Sequence, residues 1–333
     1  MISLCRRNLP SVAKGHRYPS AFTFCRGLHN VFIEPKPVEY LAEPSKHGST
    51  FSLRQLIDEY DAVPLLFRSS PGLPSTQPSR AKQLVSALKE NGNTLVEVEH
   101  GRYDQVASGS GSFDRVEMPL GYYIDWLENN ESAEGLVDGK QLYLAQWRLG
   151  DNGTEAVRGL INKPELLPAL EQECTIDSYG NNFFIGPTGV VTPLHYDPYV
   201  NLFHLQASSS PGRIAKHVTL FPPSLSQLLE RKTNTALRNT SPHEFTLHRN
   251  LSAFDVFLEN VNSLPDAAIE KLSKHALTCI VHEGDTLLIP KRWWHRVENV
   301  DLFPDSAEKK VEWTAALSWW FLLRDALPAN NGQ

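Results

Sequence analysis

The segment Thr192-Pro193-Leu194-His195-Tyr196-Asp197-Pro198 sets an imidazole and a carboxylate two residues apart. On a strand, residues at that spacing share a face, so His195 and Asp197 can approach one metal ion together. Two histidines and one carboxylate on one face of an octahedron leave the opposite face for a chelating co-substrate and for dioxygen, which is what an oxygen-activating iron requires. The pair alone is a weak signal. With 12 His and 38 acidic residues in 333, roughly one His-x-Asp/Glu arises by chance, and taken alone the pattern reads more readily as a surface pair.

A third ligand is offered further along the chain. Glu283-Gly284-Asp285 reads as a turn, Thr286 to Pro290 as a buried strand, and Lys291-Arg292 as a second turn that delivers Trp293, Trp294 and His295 to the start of another strand. His295 either packs against the tryptophans or reaches the metal of the first motif; the two motifs together favour the metal.

The elements that must position these residues are mostly short strands. Leu142 to Gln146, Asn182 to Ile185, Val200 to Gln206, Lys216 to Phe221, Thr278 to His282, Thr286 to Pro290 and Thr314 to Phe321 are strand-like and punctuated by turns, which argues for a β-sandwich or barrel. A polar insertion, 222–275, interrupts them and carries helical signals at Ser226 to Lys232 and Ala267 to Ser273. Upstream, Ser79 is placed to cap a helix bearing Leu84, Val85 and Leu88 that ends at Asn91-Gly92. Thr94 to Val98 follows as a strand and Tyr122 to Leu127 as a short helix, with Gly109 and Gly111 in a loop between them. The predicted fold is mainly β with flanking helices. A double-stranded β-helix (jelly-roll or cupin) core spans 141–325, behind an N-terminal α/β preface at 34–140.

The sequence resembles the Jumonji-C oxygenases, especially the small single-domain, cupin-like hydroxylase branch. The resemblance rests on Leu142-Tyr143-Leu-Ala-Gln146, Phe184-Ile-Gly-Pro187, the Thr192 to Pro198 segment, Asn201-Leu-Phe, Lys216-His-Val-Thr-Leu-Phe-Pro-Pro223, the Gly284 to His295 segment, and Ser318-Trp-Trp320. It implies Fe(II) held by His195, Asp197 and His295, with 2-oxoglutarate and O2 as co-substrates. It also implies that Lys216, Thr192 and Tyr143 grip the remote carboxylate of 2-oxoglutarate, a buried anion that needs a cation and hydroxyl donors. Asn201 shares parity with His195 and Asp197 and falls on the inner face of a straight strand, in reach of a co-substrate oxygen. Ser318 stands where relatives carry a small polar residue. Thr192 has the opposite parity to His195, so its use requires a bend at Pro193. Ala207 to Arg213 form an insertion between Asn201 and Lys216.

Composition narrows the function classes. A formal charge of -6 and a pI near 6.1 give no general attraction to nucleic acid or anionic membrane. Four cysteines without a C-x-x-C pair suggest neither a zinc site nor a disulfide scaffold. No apolar stretch approaches the ~20 residues that span a bilayer, so a soluble intracellular protein is predicted. Residues 1–33 carry Arg6, Arg7, Lys14, Arg17 and Arg26 and no acid before Glu34, the pattern of a mitochondrial import leader or of a plain basic terminus. The function implied is hydroxylation of a protein side chain, or lysine demethylation through an N-methyl carbon. A non-catalytic cupin that binds a partner, an oxygenase acting on a modified RNA base, and a metallocupin without 2-oxoglutarate are the rivals; in the last, Lys216 is dispensable.

Overall fold

The computed structural model describes residues 36–37, 40–42, 63–69, 79–101, 113–129, 136–137, 140–148, 150, 155–164, 166–173, 175–230, 250–252, 264–304 and 312–324. The basic leader and the loop at Gly109 and Gly111 lie outside them. In chain order the elements are β1 (Lys36–Pro37), β2 (Tyr40–Ala42), β3 (Leu65–Arg68), α1 (Arg80–Glu90), β4 (Leu95–Gly101), β5 (Phe113–Pro119), α2 (Leu120–Asn129), β6 (Leu136–Val137), β7 (Lys140–Arg148), α3 (Glu155–Arg158) and α4 (Leu166–Glu173). They continue with β8 (Thr175–Pro187), β9 (Val191–Tyr196), β10 (Val200–Ser208), β11 (Ile214–Phe221), α5 (Ser226–Leu229), α6 (Asp266–His275), β12 (Leu277–Val281), β13 (Thr286–Ile289), β14 (Trp294–Asp301) and β15 (Trp313–Arg324).

Two mostly antiparallel sheets form the core. The smaller runs β1-β12-β11-β14-β9 and the larger β2-β3-β13-β10-β15-β8-β7-β4-β5, with β6 beside β7. Consecutive strands β9, β10 and β11 alternate between the sheets, which is how a double-stranded β-helix closes.

The alternation of each strand sorts its side chains into layers. Tyr143, Phe184, Phe203, Leu205, Val218, Leu220, Val297 and Ala316 fill the space between the sheets. The opposite faces of the same strands, with Leu142, Leu144, Phe183, Leu202, Leu317 and Trp319, pack under α1, α2 and α4. Because both faces are covered, β10 and β11 are buried along their whole length. A third cluster, Leu194, Phe221, Leu225, Leu229, Leu272 and Trp294, joins α5 and α6 to the back of the smaller sheet. Trp294 Nε1 donates to Ser226 Oγ at 3.0 Å and fixes the start of the 222–275 insertion there.

The upstream region merges with the barrel: β3 pairs with β13, and β4 and β5 extend the larger sheet beyond β7. Ser79 caps α1, its Oγ accepting from Lys82 N at 3.4 Å. The Gly-Asp turn before β13 is held by Asp285, which pairs with Arg68 and accepts from the backbone N–H groups of Ser69 (2.9 Å) and His282 (3.0 Å).

Candidate metal centre

β9 and β14 lie side by side with His195 opposite His295 in register. The ring centroids are 4.2 Å apart, and His295 Nε2 is 3.5 Å from Asp197 Oδ2. One potential ligand atom from each of the three residues falls within 4.8 Å of the others. His195 Nδ1 donates to Pro193 O at 2.8 Å and His295 Nδ1 to Trp293 O at 3.0 Å. A carbonyl only accepts, so both Nδ1 atoms carry the proton and both Nε2 lone pairs point toward the carboxylate, the tautomer a metal needs. Burial and the neighbouring His195 push the His295 pKa down to about 4, so that ring is neutral at ordinary pH.

Asp197 is held from two sides. Its carbonyl accepts from Arg292 N at 2.7 Å, and Arg292 adopts the left-handed conformation (φ 66°) at the turn leading into β14. Trp320 Nε1 donates to its Oδ2 at 2.8 Å, leaving the other carboxylate lone pairs for a cation. The insertion reaches the same strand: Leu251 bridges to His195, Tyr196 N donates to Asn250 O at 3.0 Å, and Ser252 N donates to Leu194 O at 2.8 Å.

Inside the barrel the structure brings together the other residues singled out by sequence. Lys216 lies on the inner face of β11, 1% exposed, with Nζ 5.8 Å from the centroid of the Tyr143 ring. Burial alone pushes its pKa down to about 7, and no carboxylate among the described residues offsets it. Thr192 is hydrogen-bonded to the Tyr143 hydroxyl. The bend expected at Pro193 is a β-bulge. Thr192 pairs with Val297 and His195 with His295, so three steps along β9 match two along β14, and Thr192 and His195 both face inward. The 207–213 insertion forms the end of β10 and a tight turn that crosses between sheets, and Lys216 keeps its inward register. Asn201 pairs with Trp320 and faces inward, and its buried Oδ1 has no hydrogen-bond partner among the described residues. Ser318 is buried on the same inner face, between Ala316 and Trp320.

Two further residues complete the pocket. Gly186 makes room for Tyr143, since a Cβ there would lie 2.5 Å from Cδ2 of the ring. Trp320 orients Asp197. Both stand in segments that carried the resemblance, and the even spacing of Trp320 from Ser318 was the available signal for its inward direction.

An N,N,O donor set is suited to Fe(II). The buried Lys216 ammonium, with no carboxylate partner among the described residues, suits an anionic ligand. These groups fit iron and 2-oxoglutarate.

Residues 60–325 match the family model described as a cupin-like domain. This chain belongs to the cupin-like, Jumonji-C family. Relatives include the Arabidopsis thaliana lysine-specific demethylase JMJ30, 31% identical over 36% of this chain and 23% of that protein. The Drosophila melanogaster Jumonji C domain-containing protein 5 is 26% identical over 62% and 46%. The human bifunctional peptidase and (3S)-lysyl hydroxylase JMJD7 is 26% identical over 54% and 55%. The chain thus aligns with between about a quarter and about half of the length of these relatives. Jumonji-C proteins in general depend on Fe(II), 2-oxoglutarate and O2. No helix among the described residues is long and apolar enough to cross a membrane.

Proposed function

We propose that this chain is an Fe(II)- and 2-oxoglutarate-dependent dioxygenase that hydroxylates a side chain of a protein substrate. The observation that carries the reading is Lys216, a buried ammonium without an anion among the described residues, beside Tyr143 and Thr192 on the inner face shared with the ligand cluster. A metallocupin without an anionic co-substrate has no use for such a group, whose desolvation is costly.

His195, Asp197 and His295 would hold the iron, and the bound iron would supply oxygen activation. Lys216, with the hydroxyls of Tyr143 and Thr192, would grip the distal carboxylate of 2-oxoglutarate, while Asn201 and Ser318 line the same wall. Trp320 and Arg292 keep Asp197 aimed. The barrel packing around Phe184, Phe203 and Trp293 excludes water from the reacting centre. One oxygen atom of O2 enters the substrate C–H bond as a hydroxyl; the other goes into succinate as 2-oxoglutarate loses CO2.

Demethylation of lysine through an N-methyl carbon is the second reading, favoured by relatives named as lysine-specific demethylases. Anaerobic addition of Fe(II) and 2-oxoglutarate tests the site itself. The visible charge-transfer band of the chelated co-substrate is expected in the wild type, absent in His195→Ala and weakened in Lys216→Ala. A folded, iron-loaded wild type without the band would instead indicate a binding protein or another metallocupin.

A further inference from the structure

β8 is covered along only part of its second edge. β15 pairs with it over its whole length, whereas the register of β7 on its other side ends with Arg148 opposite Asn182. Among the described residues, no strand lies beside residues 175–180 on that side. Thr175, Asp177, Ser178 and Tyr179 are exposed. Natural sheets blunt such an edge with lysine or proline. This stretch carries neither, and its one charge, Asp177, is taken by Arg324, which donates to it at 2.6 Å, so the edge is electrically neutral.

The open stretch leads to the ligand cluster. Phe321 and Leu323 on β15 pack into the layer under the helices, so Trp320 and the exposed Leu322 face the other way. The register between β8 and β15 slips at Tyr179, since Trp320 pairs with Gly180 and Phe321 with Ser178. Tyr179 is the surplus residue of this bulge. It is 61% exposed and stacks on Tyr199, two residues beyond Asp197, with ring centroids 4.0 Å apart and planes at 21°. Gly180 lies opposite Trp320, whose indole bonds Asp197, and a Cβ at Gly180 would meet only Asn182 Oδ1, at 3.9 Å. A clear lane therefore runs from the β8 edge past Gly180 to the carboxylate of the cluster.

We infer that the open edge of β8 is the docking strand for the substrate, an extended and locally unstructured protein segment that adds itself to the larger sheet in line with β7. This rests on the oxygenase reading above. Unpaired backbone N–H and C=O groups on a strand edge call for another extended backbone, and the neutral edge calls for an uncharged stretch of it. A strand added there alternates its side chains, so the residue beside Gly180 is aimed down the lane toward Trp320 and Asp197 while its neighbours rest near Tyr179. A folded domain has no free strand to offer, and a free amino acid makes none of these backbone bonds. A second copy of this chain fits badly, because two-fold pairing of the edge with itself sets two bulged strands against each other.

Peptides enriched on the full chain from a displayed library of random linear sequences are the probe, read by hydrogen exchange and fluorescence anisotropy. They should slow amide exchange within residues 175–180. N-methylation of successive peptide residues should weaken binding about 10-fold at one parity and leave the other unchanged, each loss being one backbone hydrogen bond. Gly180→Val, at a position outside the left-handed region, should fill the lane and weaken the same peptides about 10-fold while retaining the charge-transfer band. Failure to enrich any peptide, protection only elsewhere on the chain, N-methyl sensitivity without a period of two, or full binding by Gly180→Val overturns the inference. So does protection of 175–180 that grows with protein concentration in the absence of peptide, which assigns the edge to a second copy. Absence of the charge-transfer band in folded, iron-loaded wild type is the separate outcome that sinks the oxygenase reading.

Discussion

The indole N–H of Trp320 donates to Oδ2 of Asp197 at 2.8 Å, tying the end of β15 to the carboxylate of the ligand cluster. The ring is braced edge-on against Phe184, with centroids 6.1 Å apart and planes at 85°. Groups that orient a ligand in this way commonly govern metal affinity by ~10–100-fold. Trp320→Phe keeps the ring and removes the donor. Iron titration should show Fe(II) held about 10-fold more weakly, with an unchanged far-UV spectrum. Wild-type affinity in this variant would reduce Trp320 to a packing residue.

Lys216 gives a signed pH dependence. Its pKa falls from an ordinary 10.5 to about 7 through burial, so between those values the unfolded chain binds a proton that the folded one does not. Stability of the ligand-free protein should therefore rise with pH across about 7 to 10.5, the penalty being complete below about 7. Binding a carboxylate needs the ammonium form, so 2-oxoglutarate affinity should fall as pH climbs above about 7 and binding should take up a proton. Calorimetry in buffers of different ionisation enthalpy measures that uptake. Lys216→Met should raise the melting temperature of the free protein, remove its share of the pH slope, and abolish co-substrate binding.

Gly186 offers a way to separate co-substrate from metal. In Gly186→Ala the new Cβ meets Tyr143 at 2.5 Å, and overpacking of this kind costs ~1–3 kcal/mol. The ring must move, taking its hydroxyl from Thr192. Weakening of 2-oxoglutarate by about 10-fold with iron stoichiometry retained is the expected result in equilibrium titrations. Simultaneous loss of iron would mean that the two subsites are not independent.

What the sequence made legible follows the range of the interactions. His195 and Asp197 are two residues apart, and His295 follows a turn whose residues announce it, so spacing and parity sufficed to group them. The inward direction of Thr192 was hidden because the extra residue at Pro193–Leu194 shows only against β14. β5 was not foreseen, although Val116 and Met118 alternate with polar neighbours; its strand character depends on pairing with β4. β8 begins at Thr175, earlier than its apolar run suggests, because the mostly polar stretch 175–182 pairs with the end of β15.

The bulge in β9 also bears on how such a protein could change its trade. One surplus residue lets Thr192 and His195 both face the barrel interior, the first toward the proposed co-substrate pocket and the second toward the candidate metal ligands. Deleting a residue there would restore a regular strand and swing Thr192 outward, leaving His195 and Asp197 where they are. A single-codon loss would thus take Thr192 out of the proposed co-substrate pocket and leave the candidate metal ligands in place.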